Sequence, residues 1–280
     1  MNHRPFRFGL VTVSPADPKS WTSTARWAED AGISALLLPD LPAPVPAPLT
    51  ALSYAAAATT TLQVGTWVLA NDFRNPFVLA REAATLDLVS DGRFQLGLGA
   101  GQTAVGYGEL GIAAESDRVR FERLAESVGI LNALFRGEQV ETTGAHYANT
   151  GTTLVPTPPR KVPLLLAAGG RRATELAAAE ADTVAFSTFS RDQLTRQVGW
   201  LDSAAGPRIP DVERALRFST PTSTVGPPMP EGAPTLLTGS PSQAADQLRR
   251  LRDEFAISYI VLDDDAAREL APVVSLLSGT

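Results

Sequence analysis

The sequence predicts a closed (β/α)8 TIM barrel with an insertion before its fifth strand. Three observations lead there. Apolar runs of strand length alternate with amphipathic helical stretches eight times along the 280 residues, the order that builds a parallel sheet with helices outside it. The chain has the length of one such barrel, roughly 250 residues, and no repeat or composition break divides it, so residues 1–280 are read as one domain. The stretch 62–101 reads by itself as a βαβ unit whose two strands are expected to be parallel.

The first strand is expected at 6–13, followed by a helix over 19–31 that Gly32 ends. The second strand, 35–40, is apolar until Asp40. Residues 41–48 are too rich in proline for helix or internal strand, and a helix of small residues follows at 50–59. In the central unit, 62–69 is β-branched and aromatic, as a buried strand should be. Asn75-Pro76 reads as an N-cap followed by proline at the first helical position. The helix 77–89 places Leu79, Ala83 and Leu86 on one face, and Gly92 supplies a left-handed stop. Residues 94–98 form the next strand.

The long glycine-containing loop after Gly101 has the character of a loop over an active site. A helix follows at 116–135, and 137–163 is an insertion with short extended pieces. The alternation resumes with strands at 164–168, 183–187, 215–225 and 259–263. Their helices lie at 170–181, 191–204 and 240–255, with a last one ending near 277.

Composition narrows the function. Hydrophobic residues make up 44% and charged residues 19%, enough apolar material for a large core. A formal net charge of -6 lacks the basic footprint of a nucleic-acid binder. No cysteine is present, so no disulfide or thiolate chemistry is available. No signal peptide opens the chain, and no apolar stretch reaches the roughly 18 residues of a membrane span. A cytoplasmic protein is expected. His3 lies in the leading tail and His146 among turn-forming residues, so neither a metal site nor a Ser-His-Asp triad is expected from them.

Chemistry in such barrels gathers at the carboxyl ends of the strands. Asp40 ends the second strand, either as a turn residue or as a functional rim carboxylate. Gly97, Gly99 and Gly101 strip side chains from one face of a strand, either for close packing or for a flat ligand; spacing does not choose between these. Gly169-Gly170-Arg171-Arg172 follows a strand and opens a helix, where free N–H groups and the helix dipole favour a phosphate. Arg74 is a weaker anion candidate.

The segments VGTWVL, LAREAATLDLVSDGRF, LGLGAG, RFERLAESVGILNALFRGE, GAHY, PLLLAAGGRRATELAAAEAD and GSPSQAADQLRRL together resemble the luciferase-like flavin and deazaflavin (coenzyme F420) oxidoreductases. The likeness runs over most of the chain and is nearest to the shorter F420-type members. It implies cofactor contacts at Asp40, Trp67, Val68, Ala70, Ala100, Gly101, Gln102, Gly169, Gly170, Arg171, Arg172 and Ala173, and a non-prolyl cis peptide between Trp67 and Val68. It also implies a homodimer. The sequence departs from the family where some members carry a proton-donating histidine, here Leu41, and a catalytic glutamate, here Gln102. Acidic residues of the following loop are replaced by Ala104 and Gly106, and Glu109 does not align with them.

A neutral amide orients a substrate but is no general acid. The resemblance therefore implies hydride transfer between F420 and a small organic substrate, with catalytic roles falling on Asp40, Gln102 and Tyr107. Asp40 would position the cofactor ring, and water, Tyr107 or the substrate would supply any proton. Leu41, Trp67, Phe73 and Tyr107 would make an apolar rim. An FMN-dependent monooxygenase and a non-catalytic binder are the alternatives.

Overall fold

The computed structural model describes residues 4–13, 17–42, 45–102, 106–155, 157–224 and 229–280; His3 and Ala104 lie outside them. In chain order the elements are β1 Arg7–Val11, α1 Pro18–Asp30, β2 Ala35–Leu38, α2 Pro48–Ala58, β3 Gln63–Thr66, β4 Leu69–Ala70, α3 Pro76–Val89, β5 Phe94–Gly99 and α4 Asp117–Phe135. There follow β6 Val140–Thr143, β7 Ala148–Thr152, β8 Leu164–Ala168, α5 Arg171–Glu180, β9 Thr183–Phe186, α6 Arg191–Ala205, β10 Glu213–Phe218, α7 Pro241–Phe255, β11 Tyr259–Asp263, α8 Asp264–Glu269 and α9 Ala271–Leu277.

Strand order is β3-β2-β1-β11-β10-β9-β8-β5-β4, and β3 also pairs with β5, which closes the barrel. Every ladder in it is parallel. The insertion is the antiparallel hairpin β6–β7. The expected caps are present: Asn75 accepts from the amides of Phe77 and Val78, Ser240 and Gln243 form a capping box, and Gly92 takes φ +73°.

Alternation along the strands sends side chains to two cores. Outward residues such as Phe8, Leu36, Leu96, Leu166 and Leu262 pack with the helices in one large buried cluster. Inward residues Leu37, Leu165, Ala185, Ala215, Tyr259 and Val261 fill the barrel. Below them a polar layer seals the amino-terminal end. Arg7 donates to Glu213 Oε1 at 2.7 Å and Oε2 at 2.5 Å, to Gln63 Oε1 at 2.9 Å and to Gln95 Oε1 at 3.2 Å. Its guanidinium lies 3.6 Å from the Tyr259 ring centroid. With that end plugged, access to the interior is from the carboxyl ends.

Three expectations are corrected. The third strand does not run unbroken over 62–69 but ends at Thr66 and resumes at Leu69. The seventh stops at Phe218 rather than continuing toward 225, which lies outside the described residues, because hydroxyls of the next segment turn to acids at and just after the end of β11. Ser219 and Ser223 donate to Asp263, and Thr224 to Asp265. The final helix is two, α8 and α9, with Pro272, which has no N–H to continue a helix, in the first turn of the second.

Candidate active site at the carboxyl mouth of the barrel

The mouth is shaped by the break in the third strand. Gly65 faces Gln95, and Leu69 faces Leu98, so Thr66, Trp67 and Val68 stand where β5 spends only two residues. One extra residue in a ladder is a β-bulge, a device that re-aims side chains next to active sites. The Thr66 hydroxyl bridges the gap: it donates to the Gly97 carbonyl and accepts from the Gly97 amide, both at 2.8 Å. The Trp67–Val68 peptide is cis.

This bulge explains the glycine strand. A Cβ on Gly97 would collide with the Thr66 carbonyl oxygen, and one on Gly99 would lie 3.0 Å from Val68 Cγ2. At these two positions the glycines admit the neighbouring backbone and valine, so close packing accounts for them and a ligand is not needed. Gly101, at φ +78°, would put a Cβ 2.5 Å from the Tyr107 hydroxyl.

Trp67 and Val68 pack on the inner core but are half-buried, as is Ala167 on the neighbouring β8. Inner residues below them are sealed: Leu37, Leu165 and Tyr259 are 0% exposed. Trp67 meets Tyr259 edge-on at 6.4 Å between ring centroids, so indole and phenol form the floor. Burial pushes the Tyr259 hydroxyl up to about 12, against the opposing pull of Arg7; it stays neutral.

Around the rim, Ala100 and Gly101 are half-buried and Gln102 is exposed. Asp40 receives Arg74 Nη1 at 2.5 Å on Oδ2 and Nη2 at 3.0 Å on Oδ1, and its Oδ2 also accepts the buried Ala70 amide at 3.0 Å. Arg74, expected as a rim residue or anion ligand, is thus the counter-ion of Asp40. Leu41 is half-buried and packs on the outer core.

Tyr107, expected on the rim, is 2% exposed. Its hydroxyl donates to Asp72 Oδ2 at 3.2 Å, with the Ala100 carbonyl at 3.5 Å. Burial raises its pKa, and hydrogen bonding to Arg120 only partly offsets this. Buried and partnered, Tyr107 is a support beneath the loop rather than a rim group. His146 is on the insertion hairpin, 4.0 Å from Glu122 of α4, and Glu109 is exposed.

Across the mouth, α5 begins at Gly170 with no side-chain cap. Added Cβ atoms at Gly169 and Gly170 would meet nothing within 4 Å, and no side chain caps the first N–H groups of the helix. Those orphan donors at the positive end of the dipole are what an anion needs. The arginines themselves are engaged: Arg171 Nε donates to Glu175 at 2.8 Å, and the Arg172 guanidinium lies 4.4 Å from the Phe121 ring centroid. Ala173 is half-buried in the first turn.

Two charged residues at the mouth were missed. Arg217 continues the inward register of Glu213 and Ala215 on β10, is 27% exposed and stands 3.6 Å from the fully buried Asp263. Asp264 follows β11, and burial first, then the charges of Asp263 and Asp265, raise its pKa despite a hydrogen bond with Thr12. The available signal was charge at alternate positions of the strand ERALRF, legible only once the inward face is known. Among the described residues no cluster of His, Asp and Glu could hold a metal ion, and no helix is long and apolar enough to cross a membrane.

Fold and mouth together define a luciferase-like (β/α)8 barrel. The chain belongs to the luciferase-like monooxygenase family, whose pattern matches residues 4–223. It is 34% identical over 182 residues to an F420-dependent glucose-6-phosphate dehydrogenase of Microbacterium testaceum (strain StLB037), covering 62% of this chain and 54% of that one. It is 33% identical over 191 residues to a protein of the same description from Nakamurella multipartita (strain ATCC 700099 / DSM 44233 / CIP 104796 / JCM 9543 / NBRC 105858 / Y-104), covering 65% and 56%. The chain therefore spans about half the length of these relatives. Among solved structures it superposes on a long-chain alkane monooxygenase (TM-score 0.81, 15% identity, 99% of this chain and 92% of that one). It also superposes on an F420-dependent secondary alcohol dehydrogenase in complex with an F420-acetone adduct (TM-score 0.80, 18% identity, 96% and 99%). At those identities the likeness is one of fold.

Proposed function

We propose that this chain is an oxidoreductase that uses coenzyme F420 to move hydride to or from a small organic molecule. The observation that carries this reading is the open, uncapped start of α5 at the mouth, in a chain whose curated relatives named above are F420-dependent. Orphan amides at a helix start of this kind suit a phosphate-bearing cofactor. When bound, the deazaflavin supplies the hydride chemistry, and the barrel supplies orientation and a restricted pocket.

The chain's own residues divide that work. The first amides of α5 hold the phosphate, with Gly169 and Gly170 allowing its approach. Trp67 and Val68 set the depth of the mouth. Asp40, clamped by Arg74 and Ala70, orients rather than exchanges protons. Gln102, exposed at the end of β5, offers an amide to a substrate oxygen. With Tyr107 committed to Asp72, protons come from solvent or from the substrate. Titration of the purified protein with F420 and FMN, read by absorbance and fluorescence, tests the assignment; equal or tighter FMN binding reverses it.

The family's description favours a second reading, an FMN-dependent monooxygenase. Oxygen consumption with reduced cofactor distinguishes the two. We also propose a homodimer, supported by Val78, Leu88 and Val89 on α3 and Tyr54 on α2, which expose large apolar side chains. Sedimentation of a Leu88→Glu, Val89→Glu variant tests it, with a shift to monomer expected.

A further inference from the structure

Four consecutive side chains after β4 reach several parts of the rim. Asn71, 2% exposed, donates from Nδ2 to the Tyr147 hydroxyl at 3.1 Å, on an insertion hairpin whose His146 and Tyr147 amides are held by Glu126 of α4. Asp72, with 1% of its side chain exposed, accepts from Tyr107 and stands 3.6 Å from Arg123 of α4. Phe73 meets the Tyr107 ring edge-on at 5.0 Å. Arg74 holds both oxygens of Asp40. Two loops, the hairpin and α4 thus converge on residues 71–74.

Tyr107 carries this turn to the end of β5. Its hydroxyl lies 3.5 Å from the Ala100 carbonyl and fills the space where a Gly101 side chain would stand. Arg120 closes the ring from α4, donating Nη1 to the Gly101 carbonyl at 3.1 Å. One oxygen of Asp72, Oδ1, is buried without a hydrogen-bond partner among the described residues. A buried carboxylate so incompletely satisfied opposes folding, and packing alone does not account for keeping it.

We propose that Asp72 is a positioning residue: through Tyr107 it fixes the height of Ala100 and Gly101 at the mouth, and so sets how tightly the cofactor is held. This rests on the F420 reading above. Asp72 touches no cofactor contact directly and acts through the Tyr107 hydroxyl. Support of this kind holds a binding constellation at its working geometry, and a coupling claim requires a direct measurement.

The test uses the full chain with Asp72→Ala, Asp72→Asn, Tyr107→Phe and the Asp72→Ala, Tyr107→Phe pair, reading F420 affinity by fluorescence and amide hydrogen exchange of residues 99–102 without ligand. Asp72→Ala and Tyr107→Phe should each weaken F420 binding roughly tenfold, and the pair no further than the weaker single variant, because one bond is removed either way. Asp72→Asn keeps an oxygen for the Tyr107 hydroxyl and should retain most of the affinity. Exchange at 99–102 should quicken in both damaging variants. Should Asp72→Ala fail to fold, Tyr107→Phe and Asp72→Asn still carry the comparison. Effects that multiply in the pair, or exchange unchanged at 99–102, overturn the proposal. If the unmodified protein binds no F420 while exchange responds as described, the cofactor reading fails and the positioning role stands. Unchanged F420 affinity across all variants sinks the positioning role alone.

Discussion

Arg74 grips both carboxylate oxygens of Asp40, at 2.5 and 3.0 Å, across the gap between the second and third barrel strands. The pair is mostly out of water, with side-chain exposures of 22% and 10%. A planar guanidinium can make both contacts at once and an ammonium cannot. An acid read from the sequence as either a turn residue or a rim carboxylate is therefore a clamp between two loops.

Arg74→Ala leaves Asp40, among the described residues, with only the Ala70 amide and should destabilise the fold by about 1–3 kcal/mol, the range for stripping a partner from a buried charged group. Arg74→Lys should recover only part of that. Urea denaturation of both variants measures it; a lysine variant as stable as the parent would show that the bidentate geometry is immaterial.

The bulge gives a ranking within one strand. Gly97→Ala drives a methyl group into the Thr66 carbonyl, which is backbone, whereas Gly99→Ala meets the movable Cγ2 of Val68 at 3.0 Å. The first should lose several kcal/mol, the second roughly 1–3 kcal/mol, the usual range for overpacking. Thr66→Val should also destabilise, since it leaves the Gly97 amide and carbonyl without their bridge. Thermal melts in which Gly99→Ala is the worse of the two would contradict the bulge as the reason for the glycines.

What was legible in the chain follows from these cases. Apolar runs of strand length at β1, β2, β8 and β11 and the caps at Asn75 and Ser240 are local signals, so the barrel and its helices could be read directly. The Thr66–Val68 bulge could not, because it exists only as a register mismatch against β5. The cis peptide there was expected from family likeness alone. Glycine spacing was visible at 97, 99 and 101, but its cause lay on the adjacent strand. The partners of Asp40 and Tyr107 are set by loop geometry, which periodicity does not encode, whereas the Arg171–Glu175 pair is an i,i+4 contact within α5 that helical spacing does encode. Arg217 was missed because a strand pattern reveals alternation without saying which face is inside.

Glu29 carries a pH signature. Burial favours its neutral form, but the amides of Thr61, Leu62 and Thr60 and the Thr61 hydroxyl outweigh that and bring the carboxyl down to about 2. The folded value lies below the unfolded one of 4.5, so the stabilisation is complete above the unfolded value and fades as pH falls through the folded one. Glu29→Gln should therefore be less stable than the parent at neutral pH, with the gap closing as pH drops from about 5 toward 2. Thermal melts across that range decide it; a gap that stays constant would mean that the charged form has no special role at the entry to β3.

The last prediction sets stability against binding at the start of α5. Gly170 has φ -134° and ψ 174°, extended geometry open to any residue, and makes no side-chain cap. An added Cβ there would meet nothing within 4 Å. An aspartate there should cap the helix and reduce the freedom of the unfolded chain, stabilising Gly170→Asp by roughly 0.5–1 kcal/mol. The same carboxylate would occupy the amides on which the proposed cofactor phosphate depends and would repel its charge. F420 affinity should then fall by more than roughly tenfold while the melting temperature rises. Because Arg171 and Arg172 are already held by Glu175 and Phe121, their double alanine variant should weaken binding less than this single change. A variant that is stabilised yet binds F420 as before would move the phosphate away from α5; one that loses both would show that Gly170 serves the fold instead.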